Sequence, residues 1–285
     1  MIGKDIATVL YGDKLINRVA FLPHCEQMAD SLWSVYQECL KIGMKCLWHP
    51  IGYVELDENR NQGKHHSFGS TSYEDFLQFG ADTVVIEYPY DRRNIVTTIK
   101  TEYLSLNLYR DHAIVYIPYF CGGCRDDLKR MPGVKYADYI FAPSEEEAKA
   151  YISIYPMKKI YSYGSPKTDL LTYTTGDNIL LANSLIPFVN KPWARINKYK
   201  EIIEANDNVI FRAHPLIGEG LKTMRPDFII EWHGFLTWAA TRCEIDTRPY
   251  AAQTMNICKM MYADPGSLVD LWRCQNKPYE IIEVE

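Results

Sequence analysis

The sequence predicts an α/β protein of two units, each a parallel sheet with helices on both faces. Three observations predict it. Short runs rich in Val, Ile, Tyr and Phe alternate with stretches that carry apolar residues at helical spacing. That alternation reaches a Gly-Ser-Pro-Lys turn at 164–167 and then begins again. The chain has 285 residues, enough for two cores in domains of about 100–150 residues. The expected division is 1–165 and 166–285.

Residues 18–24 (RVAFLPH) read as the first strand. Residues 26–41 carry Leu32, Val35, Tyr36, Cys39 and Leu40 on one helical face. Residues 45–51 (KCLWHPI) form the next strand. Residues 53–72 are polar, include the pair His65-His66, and read as a long exposed loop. A short helix at 73–79 leads to a buried-type strand at 82–88 (DTVVIEY). Further strands are expected at 113–119, 137–142 and 158–163. Ser144 and Glu147 form a capping-box signature that opens a helix over 144–155. In the second half, strands are expected at 178–182 (NILLA), 208–212 (NVIFR), 260–262 and 279–282. Helices are expected at 192–205 and 268–274.

Composition narrows the function classes. The 47% hydrophobic content, with 21 Tyr and 6 Trp, argues against disorder. A net charge of −5 does not suit a nucleic-acid binder, which draws on a basic surface. A local anion site remains compatible with it. The first 22 residues carry Lys, Asp and Arg throughout and do not read as a signal peptide. No run reaches the ~18–20 apolar residues of a membrane helix. The expected location is cytoplasmic, or at most peripheral to the inner face of the membrane. The eight cysteines read as reduced thiols. Cys121 and Cys124 are spaced C-x-x-C, but no second pair stands at zinc spacing, so no metal site is expected.

Parallel sheets bind ligands beyond the carboxyl ends of their strands. Several chemistry-bearing residues fall there. Arg212 and His214 follow the strand NVIF, and Arg225 lies eleven positions further on. Arg offers a fork matched to phosphate oxygens, and His can donate to phosphate or act on a leaving oxygen. A solvated surface loop would show the same spacing. Gly266 and Ser267 follow another strand and open a helix, where free N–H groups favour an anion. Simple N-capping by Asp264 or Ser267 is the plainer reading. Gly164 and Lys167 make a turn between the two halves, from which Lys167 could face a cleft. His24 follows the first strand as a candidate base; a half-buried structural His is the plainer reading. Residues 88–94 (YPYDRRN) read as an acceptor cleft wall or as a capped helix entry.

Five segments occur in a telling order: GSPKTD at 164–169, NILLANSL at 178–185, RAHPL at 212–216, TMRPDF at 223–228 and DPGSLVDLW at 264–272. Together they resemble the CDP-glycerol:poly(glycerophosphate) glycerophosphotransferase family of teichoic-acid and capsule synthesis. FLPH, HPIGY, EYPYDRRNIVT and VYIPYF in the first half resemble a subgroup of it. The resemblance implies a GT-B fold, two Rossmann-like domains with a cleft between them. It implies an N-terminal acceptor domain and a C-terminal nucleotide-donor domain. Arg212, His214 and Arg225 would then hold the diphosphate, Gly266 and Ser267 would bind phosphate, and Gly164 and Lys167 would lie near the nucleotide. The implied reaction moves glycerol phosphate, or a related polyol phosphate, from a CDP-activated donor to a hydroxyl acceptor. No separate cofactor or metal is implied. The acceptor would be a glycan, a polyol phosphate or a lipid-linked sugar. Two departures stand out. The family's His-Gly-Thr motif is replaced by Ile117-Pro118-Tyr119-Phe120, with His24 as the substitute base. One serine, Ser267, stands where many relatives have two. A glycosyltransferase using another nucleotide-sugar and a catalytically silent nucleotide- or glycan-binding module are the alternatives.

Overall fold

The computed structural model describes residues 1–122, 126–172, 174 and 176–284. It divides into two compact units: residues 1–55 with 62–170, and residues 56–61 with 171–285.

The first unit opens with helix α1 (Ile2–Gly12), a segment in which the sequence pattern gave no helix. Its principal strands are β1 (Arg18–Phe21), β2 (Lys45–Trp48), β5 (Thr83–Ile86), β7 (Ala113–Tyr116), β8 (Tyr139–Ala142) and β9 (Lys159–Ser162). They form one parallel sheet in the order β2-β1-β5-β7-β8-β9. Helices α2 (Asp30–Lys41), α3 (Tyr73–Phe79), α4 (Ser105–Asp111), α5 (Pro132–Tyr136) and α6 (Glu145–Ile154) connect them. Alternate strand residues serve opposite faces, as the pleat requires. Ala20, Val84, Ile86, Ile114 and Ile140 pack in one cluster. Val19, Phe21, Val85, Val115 and Phe141 pack in another, with Leu32, Val35 and Cys39 of α2 and Ile6 and Leu10 of α1.

Residues 53–72 are not the loop the polar composition predicts. They contain β3 (Tyr53–Leu56) and β4 (Gln62–His66), which join β6 (Thr97–Thr98) in a small separate sheet. Asp57 forms the turn, accepting from the Asn59 and Asn61 amides at 2.9 and 2.8 Å. A turn built on Asp and Asn reads as loop in sequence, because its strands are too polar to show a buried face. At α6, Ser144 Oγ accepts from the Glu147 N–H at 3.2 Å, the serine half of the expected capping box, while the Glu147 carboxylate lies 3.4 Å from Lys129 Nζ.

The second unit holds β10 (Asn178–Ala182), β11 (Val209–Arg212), β12 (Glu244–Ile245), β13 (Cys258–Ala263) and β14 (Tyr279–Ile281). All pair in parallel, in the order β12-β11-β10-β13-β14. The connecting helices are α7 (Leu185–Asn190), α8 (Pro192–Ala205), α9 (Ile217–Met224), α10 (Ile229–Ala240), α11 (Ala251–Asn256) and α12 (Ser267–Arg273). Phe188, Tyr199, Phe211, Trp232 and Phe235 form an aromatic core, with centroids 4.8–6.3 Å apart along the chain of contacts.

Asp264, directly after β13, is 1% exposed. It accepts from Tyr199 Oη at 2.5 Å, from the Ser184 N–H at 3.0 Å and from the Arg195 guanidinium. Burial raises its carboxyl pKa, while those donors pull it down. One carboxylate thus ties α8 to the ends of β10 and β13. Asp264→Asn should destabilise the protein by about 3–5 kcal/mol, because it leaves buried Arg195 without its counter-ion. Urea unfolding measures this. A loss below about 1 kcal/mol would show that the hub carries little.

Candidate functional site

Each of the two parallel sheets has one place where the chain reverses its direction of travel across the strands. In the second unit it lies between β10 and β13, and in the first between β1 and β5. Ligands of open parallel sheets gather beyond the strand ends at such points.

In the second unit, Ala182 stands in register with Arg212 and with Ala263. The chains therefore leave the sheet together, as Asn183, Ala213 and Asp264. Asn183 is 1% exposed, and its Oδ1 accepts from the His214 N–H at 2.5 Å. Its Nδ2 is buried and has no hydrogen-bond partner among the described residues. His214 Nδ1 accepts from the Leu216 N–H at 3.1 Å. That bond fixes the tautomer: in the neutral ring the proton sits on Nε2. Desolvation lowers the His214 pKa to about 4. The residue is thus a neutral Nε2–H donor at physiological pH, and an acid only under acidic conditions.

Gly266 and Ser267 are exposed beside this corner. A Cβ at Gly266 would lie 2.4 Å from Ser184 Oγ, so a side chain there would force the Ser184 hydroxyl to turn away as the chain enters α12. The first turn of that helix brings N–H groups that lack helical partners. Asn183, His214, Gly266 and Ser267 thus bring mostly hydrogen-bond donors to one set of strand ends.

The cations expected to join them are placed differently. Arg212 is buried, and its fork is spent within the protein. Nη1 donates to Asp246 Oδ2 at 2.5 Å and to the Arg248 carbonyl at 3.0 Å, and Nη2 to the Pro249 carbonyl at 3.2 Å. Arg225 forks onto Asp227 at 3.0 and 2.9 Å and also reaches the Val189 carbonyl. Lys167 Nζ lies 2.7 Å from Asp30 in the first unit. Gly164 has φ +100°, and a Cβ there would meet Ile2 Cδ1 at 2.7 Å. Nearby, Asp169 accepts from the Ile2 and Gly3 amides at 2.8 and 2.7 Å, capping α1. The 164–169 turn is therefore bonded into the first unit.

The switch point of the first unit holds His24, after β1, and Glu87, after β5. Both are fully buried. Glu87 Oε1 accepts from the His24 N–H at 2.9 Å and from His24 Nδ1 at 2.7 Å. The Tyr88 ring lies 4.1 Å from the imidazole, centroid to centroid. His24 Nε2 and Glu87 Oε2 have no partner among the described residues. With Nδ1–H held by the carboxylate, Nε2 is the basic end of the ring. Sequence reasoning missed Asn183 and Glu87. Each lies directly after a strand, which was the available signal. Cys124 lies outside the described residues; the seven described cysteines are free thiols. No helix among the described residues is long and apolar enough to cross a membrane.

No protein-family model and no curated protein matches the chain. Solved structures do. The chain is similar to the UDP-GlcNAc 2-epimerase of Neisseria meningitidis bound to UDP-GlcNAc, at 12% identity over 93% of this chain and 82% of that one, with a TM-score of 0.59. It is similar to the UDP-GlcNAc 2-epimerase of Methanocaldococcus jannaschii in complex with UDP-GlcNAc and UDP, at 15% identity over 93% and 83%, with a TM-score of 0.56. It is also similar to the wall teichoic acid polymerase TagF soaked with CDPG, at 13% identity over 98% and 74%, with a TM-score of 0.54. The fold is of the GT-B type. At these identities the likeness speaks for architecture alone, and the two Rossmann-like strand orders agree with it.

The depressed His214 pKa has a consequence for stability. An ordinary His takes up a proton near pH 6.5, so the unfolded chain protonates first as pH falls. The stability tied to neutral His214 is present above about 6.5 and is lost as pH falls toward about 4. His49, also lowered to about 4, acts in the same sense. Asp91, raised to about 6 chiefly by burial, acts in the opposite sense. His214→Asn, which retains an acceptor for the Leu216 amide, should lose less stability than the parent between pH 7 and pH 4.5. Parallel slopes in unfolding titrations would exclude a neutral native His214.

Proposed function

We propose that the protein is a GT-B transferase that takes a nucleoside-diphosphate-activated donor, with CDP-glycerol or a related CDP-polyol as the leading candidate. The buried donor Asn183 Nδ2–H, which has no partner among the described residues, carries this reading, with the Nε2–H of half-buried His214 on the residue whose N–H Asn183 Oδ1 accepts. Buried polar hydrogens without partners cost about 1–3 kcal/mol each and are rare unless something else pairs with them. Diphosphate oxygens are acceptors only, and a neutral ring at His214 presents a hydrogen to them at any pH above about 4. The α12 amides and Ser267 add further donors. Arg212 serves this reading as a positioning residue, because it anchors residues 246–249 beside β11.

The acceptor hydroxyl attacks the donor's β-phosphorus. The new O–P bond forms as the bond from that phosphorus to the bridging oxygen breaks, and CMP leaves with the bonding electrons. In the first unit, His24 Nε2, whose ring Glu87 holds through Nδ1–H, is the base available to take the acceptor proton. His24 is buried, so a role as base requires that substrate gain access to Nε2. Catalysis of this kind rests on positioning and charge stabilisation.

A second reading exchanges the donor for a UDP-sugar. Its motive is the likeness to structures holding UDP-GlcNAc. A thermal-shift series with CDP, UDP, GDP and CMP separates the two: CDP should give the largest rise under the leading reading, UDP under the second. His214→Ala should weaken the favoured nucleotide roughly tenfold, about 1.4 kcal/mol. A panel in which no nucleotide stabilises the protein would end both readings. For the base, Glu87→Gln should leave nucleotide affinity intact and slow CMP release from CDP-glycerol by about 10²-fold or more. Unchanged turnover would remove Glu87 and His24 from the reaction.

A further inference from the structure

The first unit contains a polar cavity that belongs to neither switch point. It has a volume of about 450 Å³ and is built from the small β3–β4 insertion, the segment 67–74 and the β6–α4 connection. Its lining includes Ser67, Ser70, Tyr73, Glu74, Lys100 and Tyr103. A cavity of this size falls within the range of small-molecule sites.

Its walls are held in place from behind. His49, 1% exposed, takes Thr71 Oγ1 at 2.9 Å on one ring nitrogen and Tyr103 Oη at 2.7 Å on the other. One buried imidazole thus clamps the 67–74 segment to the residue-103 wall. A capping box fixes the adjoining start of α3: the Ser72 N–H donates to Asp75 Oδ2 at 2.7 Å, and the Asp75 N–H to Ser72 Oγ at 3.2 Å. The front of the cavity is uncommitted. The side chains of Ser67, Ser70, Glu74 and Lys100, all exposed, make no hydrogen bond or ion pair among the described residues, and those of Glu74 and Lys100 do not pair with each other.

That lining selects a ligand chemistry. A phosphate would meet the Glu74 carboxylate, and a metal cation would meet the Lys100 ammonium. An apolar ligand would bury two charges and two hydroxyls without partners. A neutral polyhydroxylated ligand suits all of them, because each of its hydroxyls both donates and accepts. It can donate to Glu74, accept from Lys100, and do either with Ser67 and Ser70. The partly exposed Tyr73 ring offers an apolar face for the C–H side of a sugar. We propose that this cavity is a carbohydrate-binding site that takes one neutral sugar residue of a glycan. The proposal does not rest on the nucleotide reading of the second unit.

Saturation-transfer NMR on the full chain with N,N′-diacetylchitobiose, maltose and glycerol tests it, with inorganic phosphate as control. At least one of the two sugars should bind with a dissociation constant in the millimolar range. Tyr73→Ala and Lys100→Met, both at exposed positions, should each weaken that binding by about tenfold. The CDP and UDP thermal shifts of these variants should equal those of the parent. The proposal falls if neither sugar binds up to about 50 mM. It falls equally if both variants bind sugar as the parent does, or if phosphate binds in place of sugar and is lost in Lys100→Met. Sugar binding lost only together with the nucleotide response would mean that the variants disturb the protein at large, and would overturn it too.

Discussion

The second unit depends on a buried carboxylate. Asp264 sits where β13 ends, and three donors from α8 and the end of β10 converge on it. A buried ion pair is a poor source of net stability but a strong source of geometry. It holds the chain after β13 against the chain after β10, and so sets the corner at which Gly266 passes Ser184. Apolar packing in place of Asp264 could keep the core but would not fix that crossing, because hydrophobic contact has no direction. The positions of Asn183, His214 and the start of α12 follow from it.

The first unit uses a related device at the same kind of place. His24 and Glu87 meet beyond adjacent parallel strands, and each keeps one polar atom without a partner among the described residues. Stability alone gives no reason to bury such atoms, since each costs free energy. Two switch points in two separate sheets carry the same anomaly. Parallel sheets place chemistry at such points, and around them the first unit packs aliphatic and aromatic side chains on both faces of its sheet.

The alternation of apolar strands and amphipathic helices made the two parallel sheets legible, because strands buried on both faces leave near-continuous apolar runs. The polar hairpin at 53–66 left no such trace. Helix α1 was hidden for another reason. Its start is capped by Asp169, more than 160 residues away, and no local signal marks it. At the candidate site, His214, Gly266 and Ser267 were visible as residues that follow strands. The commitments of Arg212 to Asp246 and of Lys167 to Asp30 were not visible. A cation's type is written in the sequence, but its partner is a matter of tertiary contact. Asn183 went unread for the converse reason: an Asn after a strand is ordinary until its amide is found buried with no partner among the described residues.

The central claim is that the second unit presents neutral, preorganised donors to a diphosphate. Histidine-selective ¹⁵N NMR during titration with CDP, and then with UDP, tests it most directly. The account predicts that free His214 is already in the Nε2–H form at pH 7. Adding the preferred nucleotide should shift its Nε2 and attached proton as a phosphate oxygen accepts from them, with no second proton taken up. A His214 ring that is an Nδ1–H tautomer or an imidazolium at pH 7, or one whose signals ignore saturating concentrations of both nucleotides, would contradict the account.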